Sequence, residues 1–287
     1  MNKMKLKSML EGFYREDLGD GDLSSEILFR KGHEGSFSLL VKENGIFCGR
    51  DVVEIGFSLF DPSIQVQLYV EDGDYVEEGQ RIADIKGPMG DLLQGERVIL
   101  NLIQRMSGIA TETHRAVEMV KGTGVRLCDT RKTTPGLRML EKYSVRTGGG
   151  FNHRNGLYDA VMLKDNHISF AGSINDAVRQ VKNQIGHMVK VEVEIETKEQ
   201  LVEAIESGVD VIMFDNCSPD TIRRWAPLVP SHIATEASGG ITRENLRAYA
   251  ETGVQYISLG YLTHSVKSLD ISAKVGVGKG FEHGIIG

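Results

Sequence analysis

Between Arg126 and His167 the chain carries eight Lys or Arg and only four acids. That local balance of +4 leaves −11 for the rest of the chain, so an anionic ligand is drawn to this one stretch. Within it, Asp129-Thr-Arg-Lys-Thr-Thr-Pro-Gly136 follows an apolar run directly and sets Arg131 and Lys132 side by side on a short loop. An Arg fork matches a carboxylate in a bidentate way, whereas Lys is a compact point charge for phosphate, so carboxylate and phosphate ligands both fit. Arg146-Thr-Gly-Gly-Gly-Phe-Asn-His-Arg154 adds His153 and Arg154 beyond a glycine triplet that lets backbone approach a ligand closely. Arg138 and Lys142, one helical turn apart, read equally well as a solvated helix face. Lys164 has two readings: a desolvated Schiff-base nucleophile, or a cation that clamps an anion, the second favoured by its many cationic neighbours. His153 and His167 are expected as hydrogen-bonding walls, because no His, Cys or Asp group has zinc spacing.

Acids supply the opposite character. In Val191-Glu-Val-Glu194 the two-residue period of a strand sends Glu192 and Glu194 to the same side, expected inward, and Asp215 closes the run Met213-Phe-Asp215. Idle inward carboxylates are expensive. Glu194 and Asp215 suit Mg²⁺, which keeps several waters and shares substrate phosphates, while a structural ion pair with a nearby cation is the alternative. Glu236-Ala-Ser-Gly-Gly-Ile-Thr242 leads into the helical stretch Arg243 to Ala250, so its backbone N–H groups and the helix start form an anion site, and Gly260-Tyr-Leu-Thr-His-Ser265 makes the neighbouring loop.

The elements that position these residues are short apolar runs alternating with amphipathic stretches. Strands are expected at Val125 to Cys128, Ala160 to Leu163, Val189 to Val193, Val209 to Phe214, His232 to Thr235 and Val254 to Leu259. From the third onward they recur at the spacing of βα units, and the polar residues fall at their carboxyl ends, where a β/α barrel does its chemistry. No GxGxxG follows an early strand and no Walker loop occurs, which disfavours a doubly wound nucleotide-binding sheet. Upstream, Phe37 to Val41, Gly45 to Cys48, Ile64 to Val70 and Gln80 to Lys86 read as strands of a small α/β domain. A lipoyl-type carrier is disfavoured there because no Lys stands at a hairpin tip. Leu92 to Val120 reads as a long helix that bridges the two domains, with a break possible at Ser107-Gly108.

The 287 residues carry 33 basic and 40 acidic side chains, a net charge of −7, which argues against a nucleic-acid or anionic-membrane partner. The three cysteines are odd in number and lack a CxxC pair, and no apolar run reaches membrane-span length. A reduced, cytoplasmic enzyme is the expectation.

The motifs Asp129-Thr-Arg-Lys-Thr-Thr-Pro-Gly-Leu-Arg138, Tyr143-Ser-Val-Arg-Thr-Gly-Gly-Gly150, Asn152-His-Arg154, Lys164-Asp-Asn-His167, Glu192-Val-Glu194, Ser238-Gly-Gly-Ile241, Leu262-Thr-His-Ser265 and the Asn101 to Ala110 helix together resemble the quinolinate phosphoribosyltransferase family, in register to about Val275. The resemblance implies an α/β protein: an N-terminal α/β sandwich domain over 1–112, available to be rejoined by 268–287, and an incomplete, seven-stranded β/α barrel over 113–267. It implies that quinolinate and 5-phosphoribosyl-1-pyrophosphate give nicotinate mononucleotide, pyrophosphate and CO₂, with Mg²⁺ and no organic cofactor. By the same resemblance Arg131, Arg154 and Lys164, with His153 nearby, hold the dicarboxylate. Lys132 contacts the phosphoribosyl donor, Glu194 and Asp215 face its ribose and Mg²⁺-pyrophosphate end, and Ser238, Gly239, Gly240 and Gly260 cradle its 5-phosphate. Arg105 enters the neighbouring subunit's active site, so the implied unit is a homodimer or larger homo-oligomer. A paralogue associated with molybdate transport, with another acceptor, and a non-catalytic anion-binding module are the other readings. The resemblance does not account for Gly276 to Gly287, whose five glycines read as a flexible tail.

Overall fold

A computed structural model describes residues 1–29 and 33–275; the tail expected at 276–287 lies outside the described residues. In chain order the elements are α1 (Lys3–Leu18), α2 (Ser25–Leu28), β1 (Glu34–Val41), β2 (Gly45–Ile46), α3 (Arg50–Ser58), β3 (Gln65–Leu68), β4 (Tyr75–Val76), β5 (Arg81–Pro88) and α4 (Met89–Met119). There follow β6 (Arg126–Cys128), α5 (Arg138–Thr147), β7 (Val161–Leu163), α6 (Asp165–Ala171), α7 (Ile174–Lys182), β8 (Val191–Ile195), α8 (Lys198–Glu206) and β9 (Val211–Asp215). The chain continues through α9 (Pro219–Trp225), β10 (Ala234–Ser238), α10 (Arg243–Ala250), β11 (Tyr256–Ser258), α11 (Tyr261–His264) and β12 (Ile271–Val275). Residues 1–111 and 266–275 form one compact unit and 112–265 a second.

The first unit is built on an antiparallel sheet of order β12-β1-β5-β3. Ser38 and Asp84 stand opposite one another in the β1–β5 ladder, and the Ser38 hydroxyl donates to the buried Asp84 carboxylate at 2.6 Å. Such a bond satisfies two polar groups that the closed sheet would otherwise strand. α1 starts where the Asn2 side chain accepts the Lys5 N–H, and Leu6, Leu10 and Tyr14 recur at i, i+4 and i+8 to bury one stripe. α4 runs unbroken through Ser107-Gly108. Those residues serve close approach: the Ser107 hydroxyl bonds the Cys48 backbone, and a Cβ on Gly108 would collide with the Lys267 carbonyl. Sequence punctuation marks a packing contact here, not a helix end.

The second unit is a parallel sheet of order β6-β11-β10-β9-β8-β7, with helices following the strands. Six strands are present among the described residues where seven were expected. The seventh is reduced to one residue: Phe151 forms a parallel bridge to Cys128 on the otherwise open edge of β6, its N–H donating to the Leu127 carbonyl while its carbonyl accepts the Asp129 N–H. The glycine triplet before it, with Gly149 at φ 93°, turns the chain in, and Asn152 then bends away toward the interior. The strand ends differ from the sequence-based bounds by one to three residues, chiefly because β8, β9 and β10 extend to carry Glu194, Asp215 and Ser238 within the ladder. Ser173, Thr197 and Ser218 cap α7, α8 and α9 with their hydroxyls, which fixes each crossover's entry to its helix. Among the described residues no helix is long and apolar enough to cross a membrane.

Candidate active site

A cleft of about 730 Å³ opens at the carboxyl ends of the parallel strands. Arg131, Lys132, His153, Arg154, Lys164, Glu194, Asp215, Ser238, Gly239 and Gly240 all line it. Gly260 stands beside it: a Cβ there would meet the Lys132 side chain and the His264 ring at 3.1 Å. Absence of a side chain at 260 therefore lets Lys132 pass, and the Thr263 hydroxyl donates to the Lys132 carbonyl at 2.8 Å to hold the cationic loop. Arg105 lies on α4 in the first unit, half-exposed beside the buried Leu102, Ile103 and Met106.

A buried carboxylate seats the cationic wall. Asp129, at the end of β6, is fully buried and accepts from Lys142 Nζ at 2.5 Å, Asn152 Nδ2 at 2.6 Å and the His153 N–H at 2.9 Å. Lys142, only 3% exposed, also donates to the His153 carbonyl at 2.9 Å. The solvated-face reading of Lys142 is thereby corrected: it lies on the buried side of α5 with Leu140, Glu141, Ser144 and Val145, and its ammonium reaches a charge 13 residues upstream. Arg138 turns the other way, to the Thr133 hydroxyl and the Asn155 carbonyl, and so ties the loops that flank Arg131 and Arg154.

Lys164 and Glu194 face each other at 2.6 Å across β7 and β8. The Lys164 side chain is 43% exposed, so it lacks the desolvation that a Schiff-base lysine needs. Burial raises the Glu194 pKa, Lys164 opposes that rise, and the negative charges of Asp215 and Glu192 add to it. His167 Nδ1 accepts the Lys164 N–H and so starts α6, a structural task.

Both glutamates of β8 turn inward, as the alternation requires, but they do different work. Glu192 is 5% exposed and Glu236, on β10, is 4% exposed; both approach His153 Nε2, at 3.0 and 3.7 Å. Burial opposes charge on the imidazole, yet the Glu192 hydrogen bond and charge, with Glu236 behind, hold its pKa above the usual range. Burial and the neighbouring Glu192 push Glu236 up to about 7, and the Ser258 hydroxyl donates to it. No local spacing signals this group, because its members come from three separate stretches of chain. His153, Glu192 and Glu236 place ligand atoms within 4.8 Å of one another, a spacing that a metal ion could use.

On the rim after β10, Gly239 and Gly240 adopt φ 87° and 62°. A Cβ on Gly239 would collide with the Asn216 side chain and approach its N–H at 2.8 Å, while that N–H donates to the Ser238 carbonyl. The turn after β9 and the turn after β10 thus interlock. Thr242 N–H, one of the donors expected for an anion, is taken by the Asn245 side chain at 2.8 Å; Ser238, Gly239 and Gly240 are what the rim presents to the cleft. Arg243, at the start of α10, is engaged by Glu112 through Nε at 2.6 Å.

Residues 22–107 match the family model described as the quinolinate phosphoribosyl transferase N-terminal domain, and 109–274 match that of its C-terminal domain. A probable nicotinate-nucleotide pyrophosphorylase [carboxylating] of Bacillus subtilis is 57% identical over 275 residues, which are 96% of this chain and 95% of that relative. A quinolinate phosphoribosyltransferase [decarboxylating] of Nicotiana glauca is 38% identical, covering 94% of this chain and 82% of that protein. The crystal structure of NadC from Streptococcus pyogenes superposes with a TM-score of 0.92 at 39% identity, covering 96% of this chain and 97% of that one. Matched over 22–107 and 109–274, and with the cleft just built, the chain belongs to the quinolinate phosphoribosyltransferase family.

Proposed function

We propose that the chain joins quinolinate to 5-phosphoribosyl-1-pyrophosphate, giving nicotinate mononucleotide, pyrophosphate and CO₂, a decarboxylating pentosyl transfer in NAD biosynthesis. The observation that carries this reading is one cleft with four cations, Arg131, Lys132, Arg154 and Lys164, and two carboxylates, Glu194 and Asp215. The Arg131, Arg154 and Lys164 side suits a dicarboxylate; Lys132 and the Ser238-Gly239-Gly240 rim, with Gly260, suit the phosphoribosyl donor. As the C1–O bond of the donor breaks, pyrophosphate leaves with the bonding pair and the ribose carbon gains oxocarbenium character. Glu194 and Asp215 stabilise that developing positive charge electrostatically. The pyridine nitrogen then forms the new bond with its lone pair. Loss of the adjacent carboxylate as CO₂ leaves its electron pair on a ring carbon next to the cationic nitrogen, and a proton completes the product. Because the quaternised ring accepts the pair, no organic electron sink is needed.

Glu194 and Asp215 end adjacent strands and line the same cleft, and burial with the Asp215 charge raises the Glu194 pKa, an arrangement a hard divalent cation relieves. Mg²⁺ held by this pair would neutralise the departing pyrophosphate. A homodimer in which Arg105 of one protomer completes the other's site is part of the proposal, as is a reduced cytoplasmic setting, which fits the three buried free cysteines. The test is release of labelled CO₂ from quinolinate, with the donor and Mg²⁺. Nicotinate should not replace quinolinate, since the missing carboxylate removes a partner from the Arg131, Arg154 and Lys164 side of the cleft, and a site built for a polar group discriminates against the analogue that lacks it. Equal rates with nicotinate would refute the assignment.

A further inference from the structure

Glu192 and Glu236 are buried and inward, and both approach His153 Nε2. All four polar atoms of that histidine are held by the protein. Its N–H donates to Asp129 Oδ1 and its carbonyl accepts Lys142 Nζ, each at 2.9 Å. Its Nδ1 accepts the Arg154 N–H at 2.9 Å, and its Nε2 faces Glu192 Oε2 at 3.0 Å with Glu236 Oε1 at 3.7 Å. The glutamates favour a proton on Nε2, whereas the Arg154 N–H donated to Nδ1 excludes a second proton there, so this geometry holds the ring as the Nε2–H tautomer that donates to the glutamates. A metal on Nε2 would require the opposite tautomer and set two N–H groups head to head, so the arrangement speaks against a third use as a metal site.

The consequence passes to Arg154. Its peptide N–H is fixed by the histidine ring, and its guanidinium reaches the Ala160 carbonyl at 3.1 Å, beside β7, on the far side of the sheet opening from β6. His153 and Arg154 form the wall shared by the catalytic cleft and a second cavity of about 500 Å³ to which Glu192 and Glu236 also contribute. Glu192 Oε1 is buried without a hydrogen-bond partner, so the carboxylate is retained at a cost that a smaller apolar residue would avoid. We propose that Glu192 and Glu236 are positioning residues: by keeping the His153 proton on Nε2 they leave Nδ1 free to seat the Arg154 backbone, and thereby set the dicarboxylate half of the site. This rests on the reading of Arg154 as a quinolinate ligand.

The test has a variant-free arm and a binding arm. In wild-type enzyme with ¹⁵N-labelled histidine, assigned with His153→Ala, the His153 ring should show a protonated Nε2 and an unprotonated Nδ1. Calorimetric titration of quinolinate alone should give roughly tenfold weaker binding to Glu192→Ala, the effect of one lost charge-assisted hydrogen bond. Glu192→Gln, whose carboxamide oxygen still accepts, should stay within about threefold of wild type. Affinity for the phosphoribosyl donor should be unchanged in both. In a His153→Ala background Glu192→Ala should add nothing, because the glutamate acts through the ring. A protonated Nδ1 in wild type, equal weakening of both ligands, or the same loss in the His153→Ala background would overturn the proposal. If wild type fails to bind quinolinate, the functional reading falls, and the tautomer still decides whether the glutamates set the ring. Should Glu192→Ala not fold, the wild-type tautomer and Glu192→Gln carry the decision.

Discussion

Replacing Asp129 by Asn should cost the barrel unit about 3 kcal/mol, and the cost should depend on Lys142. In the folded chain the Asp129 carboxylate is fully buried and accepts three bonds, from Lys142 Nζ, Asn152 Nδ2 and the His153 N–H. An Asn side chain keeps one accepting oxygen and turns an amide toward at least one of those donors. Lys142, 3% exposed, then loses its counter-ion and keeps the neutral His153 carbonyl. Breaking a buried pair on one side typically costs about 3–5 kcal/mol, and the retained oxygen puts Asp129→Asn at the low end. Lys142→Met leaves Asp129 two donors and should cost about 1–3 kcal/mol. Combined, the two changes remove both charges, so the double variant should be less destabilised than the sum of the singles by about 2 kcal/mol. The assay is urea unfolding followed by the fluorescence of Trp225, the chain's one tryptophan, which sits in the same unit on α9. Strict additivity, or a cost under about 1 kcal/mol for Asp129→Asn, would refute the account of the pair as the seat of the cationic loops.

Glu236→Gln should alter the pH dependence of stability: the folded carboxyl, pushed up to about 7, holds a proton that the unfolded chain releases near 4.5, so this stability is full below 4.5 and lost as pH rises through 7. The variant, with no proton to lose, should match wild type near pH 5 and exceed it at pH 8 by up to about 3 kcal/mol in urea titrations; a constant offset would refute the assignment. Arg154→Ala should chiefly weaken quinolinate in calorimetry, whereas Glu194→Ala and Asp215→Ala should chiefly slow turnover, since only the latter meet charge that develops in the transition state. Gly239→Ala should destabilise by about 1–3 kcal/mol, measured by urea unfolding, because φ is 87° and Asn216 occupies the Cβ position. Inactive Arg105→Ala and Lys132→Ala chains, refolded together at random, should regain roughly a quarter of wild-type activity if each site draws the two residues from different protomers; no recovery despite demonstrated heterodimers would exclude sharing.

What the sequence disclosed follows from what a single strand can encode. A βα repeat announces itself by short apolar runs, and residues just past each run necessarily fall on one rim, so Arg131, Lys164, Glu194, Asp215 and Ser238 could be placed before any coordinates. The carboxyl ends of β8, β9 and β10 were short by one to three residues because Glu194, Asp215 and Ser238 are polar yet remain in the ladder, where hydropathy alone stops too soon. The missing seventh strand had no apolar run to find: it is one bridging phenylalanine after three glycines.

Pairings across the sheet were a different matter. Lys142 looks like any exposed helix lysine until β6 and α5 pack and bring Asp129 beneath it. The His153 group demands more. In the sheet order β6-β11-β10-β9-β8-β7, Phe151 extends the β6 edge, so a flat sheet would hold His153 far from β8. Yet Nε2 lies 3.0 Å from Glu192, and Arg154, the next residue, bonds the Ala160 carbonyl beside β7 at the opposite edge. Segment 152–154 therefore spans the opening of a curved sheet, occupying with side chains the place where an eighth strand would close a complete barrel. The same incompleteness that hid this group from sequence periodicity brings a histidine and an arginine into the sheet's interior, where two glutamates from its wall can hold them.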